Sequence, residues 1–168
     1  MEFLSYLSTL PNRQLAEAAS GAYRAIFEHD GGTGRPVMNV YYRGFDSRHK
    51  LFGKYGGTWV TPDLEYAVMY ANTNGDGTVA RISVCDSDER ITTADDLMEI
   101  LGIEPDMAID MGTWPEWIEK LREAGFNMVY NYLDDSENGY CILDPGIIRD
   151  IHVMTDEEIR EELADRGL

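Results

Sequence analysis

The stretch "GGTWVTPDLEYAVMYA", residues 56–71, constrains the fold most tightly. It opens on a glycine pair, continues through Thr58, Trp59, Val60 and Thr61 as a strand, and breaks at Pro62-Asp63. It then runs on with helical spacing at Leu64, Ala67, Val68 and Ala71. Proline belongs early in a helix and aspartate in its first turn, so the helix is expected to start from about Pro62. A strand that feeds a helix without a loop requires sheet and helix to pack on each other. Trp59 and Tyr70 are eleven residues apart, one on each side of the join. Their rings are either core or the two walls of a slot for a planar ligand.

The rest of the chain supplies the partners for that unit. Asn12 precedes a segment with apolar residues at Leu15, Ala18, Ala19, Ala22 and Ile26, which predicts a capped helix within an N-terminal helical segment 1–29. Residues 30–36 read as a loop. "VMNVYYRGF" (37–45) is β-branched and aromatic, a strand expected to end at Gly44, and "VARISVC" (79–85) alternates as a second strand. Residues 92–101 predict a helix, as does "TWPEWIEKLREAGF", with Thr113 as its cap and Gly125 as its stop. Strands are expected at 127–133, 140–144 and 147–154, with the turn "DDSENG" between the first two. The tail 155–168 predicts an acidic capped helix, polar except for Ile159 and Leu163. The expected class is α+β, a single domain over residues 1–168 with an antiparallel-leaning sheet toward the end.

Charge is distributed unevenly. The net charge is −17, yet residues 1–84 carry eight Lys+Arg and eight Asp+Glu, while residues 85–168 carry six and 23. An acidic surface repels nucleic acid and anionic lipid and attracts a basic protein surface, or simply keeps the chain dispersed. Against this trend, "RGFDSRHKLFGK" gathers Arg43, Arg48, His49, Lys50 and Lys54 around the lone Asp46. That cluster suits an anionic small ligand such as a phosphate, or a solvated loop. The histidines His29, His49 and His152 share no metal-ligand spacing, so no metal site is expected. Cys85 and Cys141 sit in apolar stretches and read as buried thiols of a reducing, cytoplasmic setting. No apolar run reaches membrane-spanning length, and "MEFLSYLSTLPNRQ" lacks the marks of a signal peptide.

Three stretches, in order, carry a resemblance: "VYYRG", "GGTWVTPDLEYAVMYA" and "EAGFNMVYNYLDDSENGYCILDPGIIRDI". Together they resemble the three regions of the mono-ADP-ribosyltransferase superfamily, which includes toxins of the diphtheria and arginine-specific types. Tyr42, Arg43 and Gly44 match its first region, a strand ending in Arg-Gly or His-Gly. Trp59 and Tyr70 match the eleven-residue spacing of the nicotinamide-clamping aromatics in diphtheria-type members, and Thr61 falls on the threonine of a Ser-Thr-Asp type turn. "GYCILDPGII" has the cadence of the third region.

The resemblance implies a split, antiparallel-leaning sheet with flanking helices and a toxin-like or phage-like effector that uses NAD as substrate to modify a protein. It implies that Arg43 anchors the adenylate side of NAD, that the Gly44 backbone approaches the nicotinamide amide, and that Trp59 and Tyr70 sandwich the ring. Arg48 to Lys54 would meet the pyrophosphate. The family glutamate precedes its strand at the position that here is Gly139. The acid must then come from Glu137 or, second, Asp135. With neither, the fold serves as an acidic binding module that occupies a basic surface on a partner.

Overall fold

The computed structural model describes residues 37–45, 51–52, 57–72, 77–102, 114–130 and 139–167. In chain order the elements are β1 (Met38–Phe45), β2 (Thr58–Val60), α1 (Leu64–Asn72), β3 (Thr78–Cys85), β4 (Ile91–Thr92), α2 (Ala94–Leu101) and α3 (Trp114–Glu123). They continue with β5 (Met128–Tyr130), β6 (Tyr140–Ile142), β7 (Ile148–Val153) and α4 (Asp156–Asp165). Short 3-10 turns cover Asp86–Asp88 and Pro145–Ile147. The class is α+β, with four helices and two mostly antiparallel sheets among the described residues. The expected helix around Leu15, the 30–36 loop, the Thr113 cap and residues 131–133 lie outside the described residues.

The strands form two sheets rather than one. The first has the order β1-β3-β7 and is wholly antiparallel; the second has the order β2-β6-β5-β4. Among the described residues only β4 and β5 pair in parallel, Ile91 with Met128 and Thr92 with Val129. That pairing makes Thr92 a strand residue and moves the start of α2 to Ala94, later than the spacing at 92–101 suggests. Among the described residues the sheets meet at one bridge, where the Tyr42 N–H donates to the Thr61 carbonyl at 2.6 Å and the Thr61 N–H donates back to the Tyr42 carbonyl at 2.9 Å.

Strand alternation decides what each face does. Tyr41, Phe45, Ile82 and Val84 turn toward the space between the sheets and join Val60, Met128 and Ile142 in one buried cluster. Tyr42 and Val79 turn the other way, onto Leu64, Ala67 and Ala71 of α1, with Ile159 and Leu163 of α4 beside them. A third cluster covers the far side of the second sheet, where Val129 and Cys141 meet Leu97 of α2 and Ile118 and Leu121 of α3. The two apolar positions of the acidic tail helix are thus its contacts with the core. Both cysteines are buried thiols. No helix among the described residues is long and apolar enough to cross a membrane.

Capping boxes start α2 and α4. The Thr93 and Thr155 hydroxyls accept from the Asp96 and Glu158 N–H groups, and each carboxylate accepts from the threonine N–H in return. Glu158 accepts at 2.7 Å from Thr155 and also contacts His152 Nε2 at 2.8 Å. The Thr155 backbone bond, then His152 and the Thr155 hydroxyl, hold its carboxyl down at about 2, from an ordinary 4.5. A depressed carboxylate stabilises the fold above its unfolded pKa and stops doing so as pH falls through the folded value. The melting-temperature gap between wild type and Glu158→Gln is therefore expected to be full above pH 4.5 and to close progressively toward about pH 2. A gap that stays constant as pH falls through that window contradicts the assignment.

Candidate active site

The join at Thr61-Pro62 is built by local hydrogen bonds. Thr61 Oγ1 accepts from the Asp63 N–H at 3.1 Å, and Asp63 Oδ1 accepts from the Tyr66 N–H at 3.2 Å. Asp63 is therefore the cap rather than a first-turn residue. Pro62 stands before the helix, which begins at Leu64. This tight turn carries the chain from the edge of the second sheet onto the helix that covers the first.

A cleft of about 210 Å³ opens where β1, β2 and α1 diverge. Arg43 and Gly44 line it from β1, Trp59 and Thr61 from the β2 side, and Tyr66 and Tyr70 from α1, with Gly139 at its edge just before β6. The five residues singled out for a ligand (Arg43, Gly44, Trp59, Thr61 and Tyr70) are thus brought together. Glu137 and Asp135 lie outside the described residues, as do Arg48, His49, Lys50 and Lys54 of the basic stretch. Just past Lys50, Leu51 is buried in the core, and its carbonyl accepts from the Thr58 hydroxyl.

Arg43 shares the inward face of β1 with Tyr41 and Phe45, so its side chain crosses the gap between the sheets. Its Nη1 donates to the Trp59 carbonyl at 2.8 Å. Burial pushes the guanidinium pKa below its ordinary value, and the nearby Tyr70 and Cys141 side chains oppose that shift. An arginine stays charged under such a load, so the floor of the cleft is cationic and partly dehydrated, which favours an anionic or strongly polar ligand group.

Gly44 faces the opposite way. A Cβ there would stand 2.1 Å from the Ala67 carbonyl oxygen and 2.7 Å from the Ala71 nitrogen. The close approach of α1 to β1 is by itself enough to demand glycine here, and the Gly44 backbone also lines the cleft.

Trp59 has a double position: it lines the cleft and also packs against the α2–α3 cluster, in register with Cys141. Tyr70 is 51% exposed on the rim. Tyr66 was not singled out from the sequence. It stands one turn before Tyr70 on the same helix face, and that i, i+4 aromatic pair was the available signal.

The back wall is braced by α4. Tyr42 donates its hydroxyl proton to Glu162, and Arg166 Nη2 donates to the same hydroxyl at 2.6 Å and to Glu162 Oε1 at 3.1 Å. The Arg166 guanidinium also lies 5.1 Å from the centre of the Tyr42 ring, and its Nη1 reaches the Pro62 carbonyl at 3.5 Å. Burial, then the Glu162 hydrogen bond, raises the Tyr42 hydroxyl to about 12, so it remains a donor at neutral pH. One acidic helix thus ties β1 and the strand–helix join together behind the cleft.

No group of histidine, cysteine and carboxylate side chains able to hold a metal occurs among the described residues. Comparison with protein-family models, with curated proteins and with solved structures finds no match for this chain.

Proposed function

We propose that the chain is an NAD-dependent mono-ADP-ribosyltransferase that modifies a partner protein, an effector of the toxin-like or phage-like kind. One observation carries the reading: residues chosen by motif order, from Arg43 to Gly139, line a single cleft between two sheets. Its volume lies below the roughly 300–1,000 Å³ of sites for whole drug-sized ligands. It suits one planar ring, with the remainder of a dinucleotide outside.

In this reading the nicotinamide ring enters beside Tyr70 and Trp59, and offset stacking adds about 0.5–1.5 kcal/mol per aromatic pair. Arg43 anchors the adenylate side of NAD with a fixed positive charge. The bond from the ribose anomeric carbon to the nicotinamide nitrogen breaks, and its electron pair leaves with nicotinamide. A carboxylate from the 134–137 segment, Glu137 before Asp135, steadies the oxocarbenium-like carbon. A nucleophilic side chain of the acceptor then bonds to that carbon and releases its proton to solvent. NAD is the substrate, and no metal takes part. The reading places the protein in the cytoplasm, or in a host's cytoplasm, where buried thiols such as Cys85 and Cys141 persist. The exposed acids Asp156, Glu157, Glu161 and Asp165 on α4 suit an acceptor with a basic surface.

A second reading has its own observation. Gly139 edges the cleft at the position where the family resemblance implies a catalytic glutamate. A chain without that acid would be an inactive, acidic binding module that occupies a basic surface on its partner.

Quenching of tryptophan fluorescence by NAD tests the first reading. Wild type is expected to bind saturably, and Tyr70→Ala to bind about 1–3 kcal/mol more weakly, the cost of losing one stacked aromatic. The fold should survive, because the Tyr70 ring stands at the rim. Absence of saturable NAD binding by wild type would remove the proposal.

A further inference from the structure

We propose that a second cleft, at the far end of β6, is a binding site for a phosphate-bearing small molecule. Gly139 precedes β6 at the first cleft; Asp144 and Gly146, which follow β6, line the second, and the two clefts share no lining residue. The second cleft is open to solvent and has a volume of about 590 Å³, within the roughly 300–1,000 Å³ of small-molecule sites.

The charge pattern points to an anion. Residues 85–168 carry only six basic side chains among 23 acids, and three of the six, Arg90, Arg122 and Arg149, line this one cleft. The lining acids Asp88 and Asp144 are already engaged. Asp88 pairs with Arg149, and Asp144 Oδ1 accepts from the Gly146 N–H at 2.9 Å to start the 3-10 turn. Arg122 donates through Nη2 to the Leu143 carbonyl, while its buried Nε has no hydrogen-bond partner among the described residues. Arg90 is exposed at the rim.

The walls are held in place before any ligand arrives. Asn127 Oδ1 accepts from the Arg90 N–H at 2.8 Å, its Nδ2 donates to the Asp88 carbonyl at 2.7 Å, and its own carbonyl accepts from the Leu143 N–H at 2.8 Å. One side chain and its backbone thus tie the 88–90 stretch and the end of β6 to each other, and a preorganised site pays less ordering entropy on binding. The Arg90 and Arg122 guanidinium groups, on different segments, with Arg149 held at the wall by Asp88, fit a phosphate, whose oxygens accept from several directions, better than a carboxylate with two. The strongly acidic chain repels a nucleic-acid backbone, so the ligand is a small molecule.

Titration with inorganic pyrophosphate and with AMP, followed by amide NMR shifts at low ionic strength, tests the assignment. Saturable shifts are expected at the Gly125, Asn127 and Gly146 amides, with affinity falling at least about fivefold in Arg90→Ala, the scale of one lost charge-assisted hydrogen bond. Tighter binding of AMP assigns a nucleotide, and tighter binding of pyrophosphate assigns a bare phosphate group; either supports the site. Arg90→Glu, which should remove binding without loss of melting temperature, guards against a merely structural effect. Shifts that do not saturate at millimolar ligand, or an affinity unchanged in both Arg90 variants, overturn the proposal. This result is independent of any NAD chemistry in the first cleft.

Discussion

Gly44→Ala is expected to cost 3 kcal/mol or more, at or above the top of the roughly 1–3 kcal/mol range for overpacking. The new methyl would meet the Ala67 carbonyl oxygen and the Ala71 nitrogen of α1, both backbone atoms, so relief requires the helix to leave its seat. Gly77 stands in the same relation to α1, with its Cβ position 1.8 Å from the Ala71 carbonyl oxygen. Ala67 and Ala71 are small for the same reason: the helix lies flush against β1. With total stabilities of about 5–15 kcal/mol for ordinary domains, such a loss leaves little folded protein at moderate urea. Urea unfolding of the two chains checks this, and equal midpoints would contradict the packing account.

Glu137→Gln is expected to lower nicotinamide release from NAD by about 10²–10³-fold while leaving NAD affinity nearly unchanged. Glutamine keeps the size and hydrogen bonding of the side chain and removes only the charge that, in the proposed mechanism, steadies the oxocarbenium-like centre. Asp135→Asn is the matching variant for the second acid. Unchanged turnover in both removes the 134–137 segment from the mechanism. A wild type without turnover whose Gly139→Glu variant gains it supports the binding-module reading.

Much of this architecture was legible because periodicity and caps are local. The alternation of "VARISVC" gave β3 to within one residue, and the tail 155–168 read as a capped helix, which is α4 with Thr155 as its cap. Non-local pairing was less legible. Nothing in "ITT" announces that Ile91–Thr92 pairs in parallel with Met128–Val129, because a two-residue strand carries no period. Division into two sheets rests on one bridge, Tyr42 to Thr61, between segments that each read as ordinary strands. At the cleft, motif order singled out Arg43, Trp59, Thr61 and Tyr70, but the direction of Gly44 was hidden. Strand parity turns Gly44 toward α1 while its neighbour Arg43 crosses to the Trp59 carbonyl, and that difference appears only once the register with β3 is known. The second cleft was invisible in sequence, since Arg90, Arg122 and Arg149 come from a loop, a helix and a strand far apart in the chain.

Nicotinamide release from NAD, measured chromatographically for wild type, Arg43→Lys and Arg43→Ala, tests the central claim most directly. Lysine keeps the charge but loses the planar fork that bonds to the Trp59 carbonyl and faces the cleft. The account predicts release by wild type, a marked loss in Arg43→Lys and a deeper one in Arg43→Ala, with all three chains folded. Full turnover in Arg43→Ala, or a wild type that neither binds nor cleaves NAD, would contradict it.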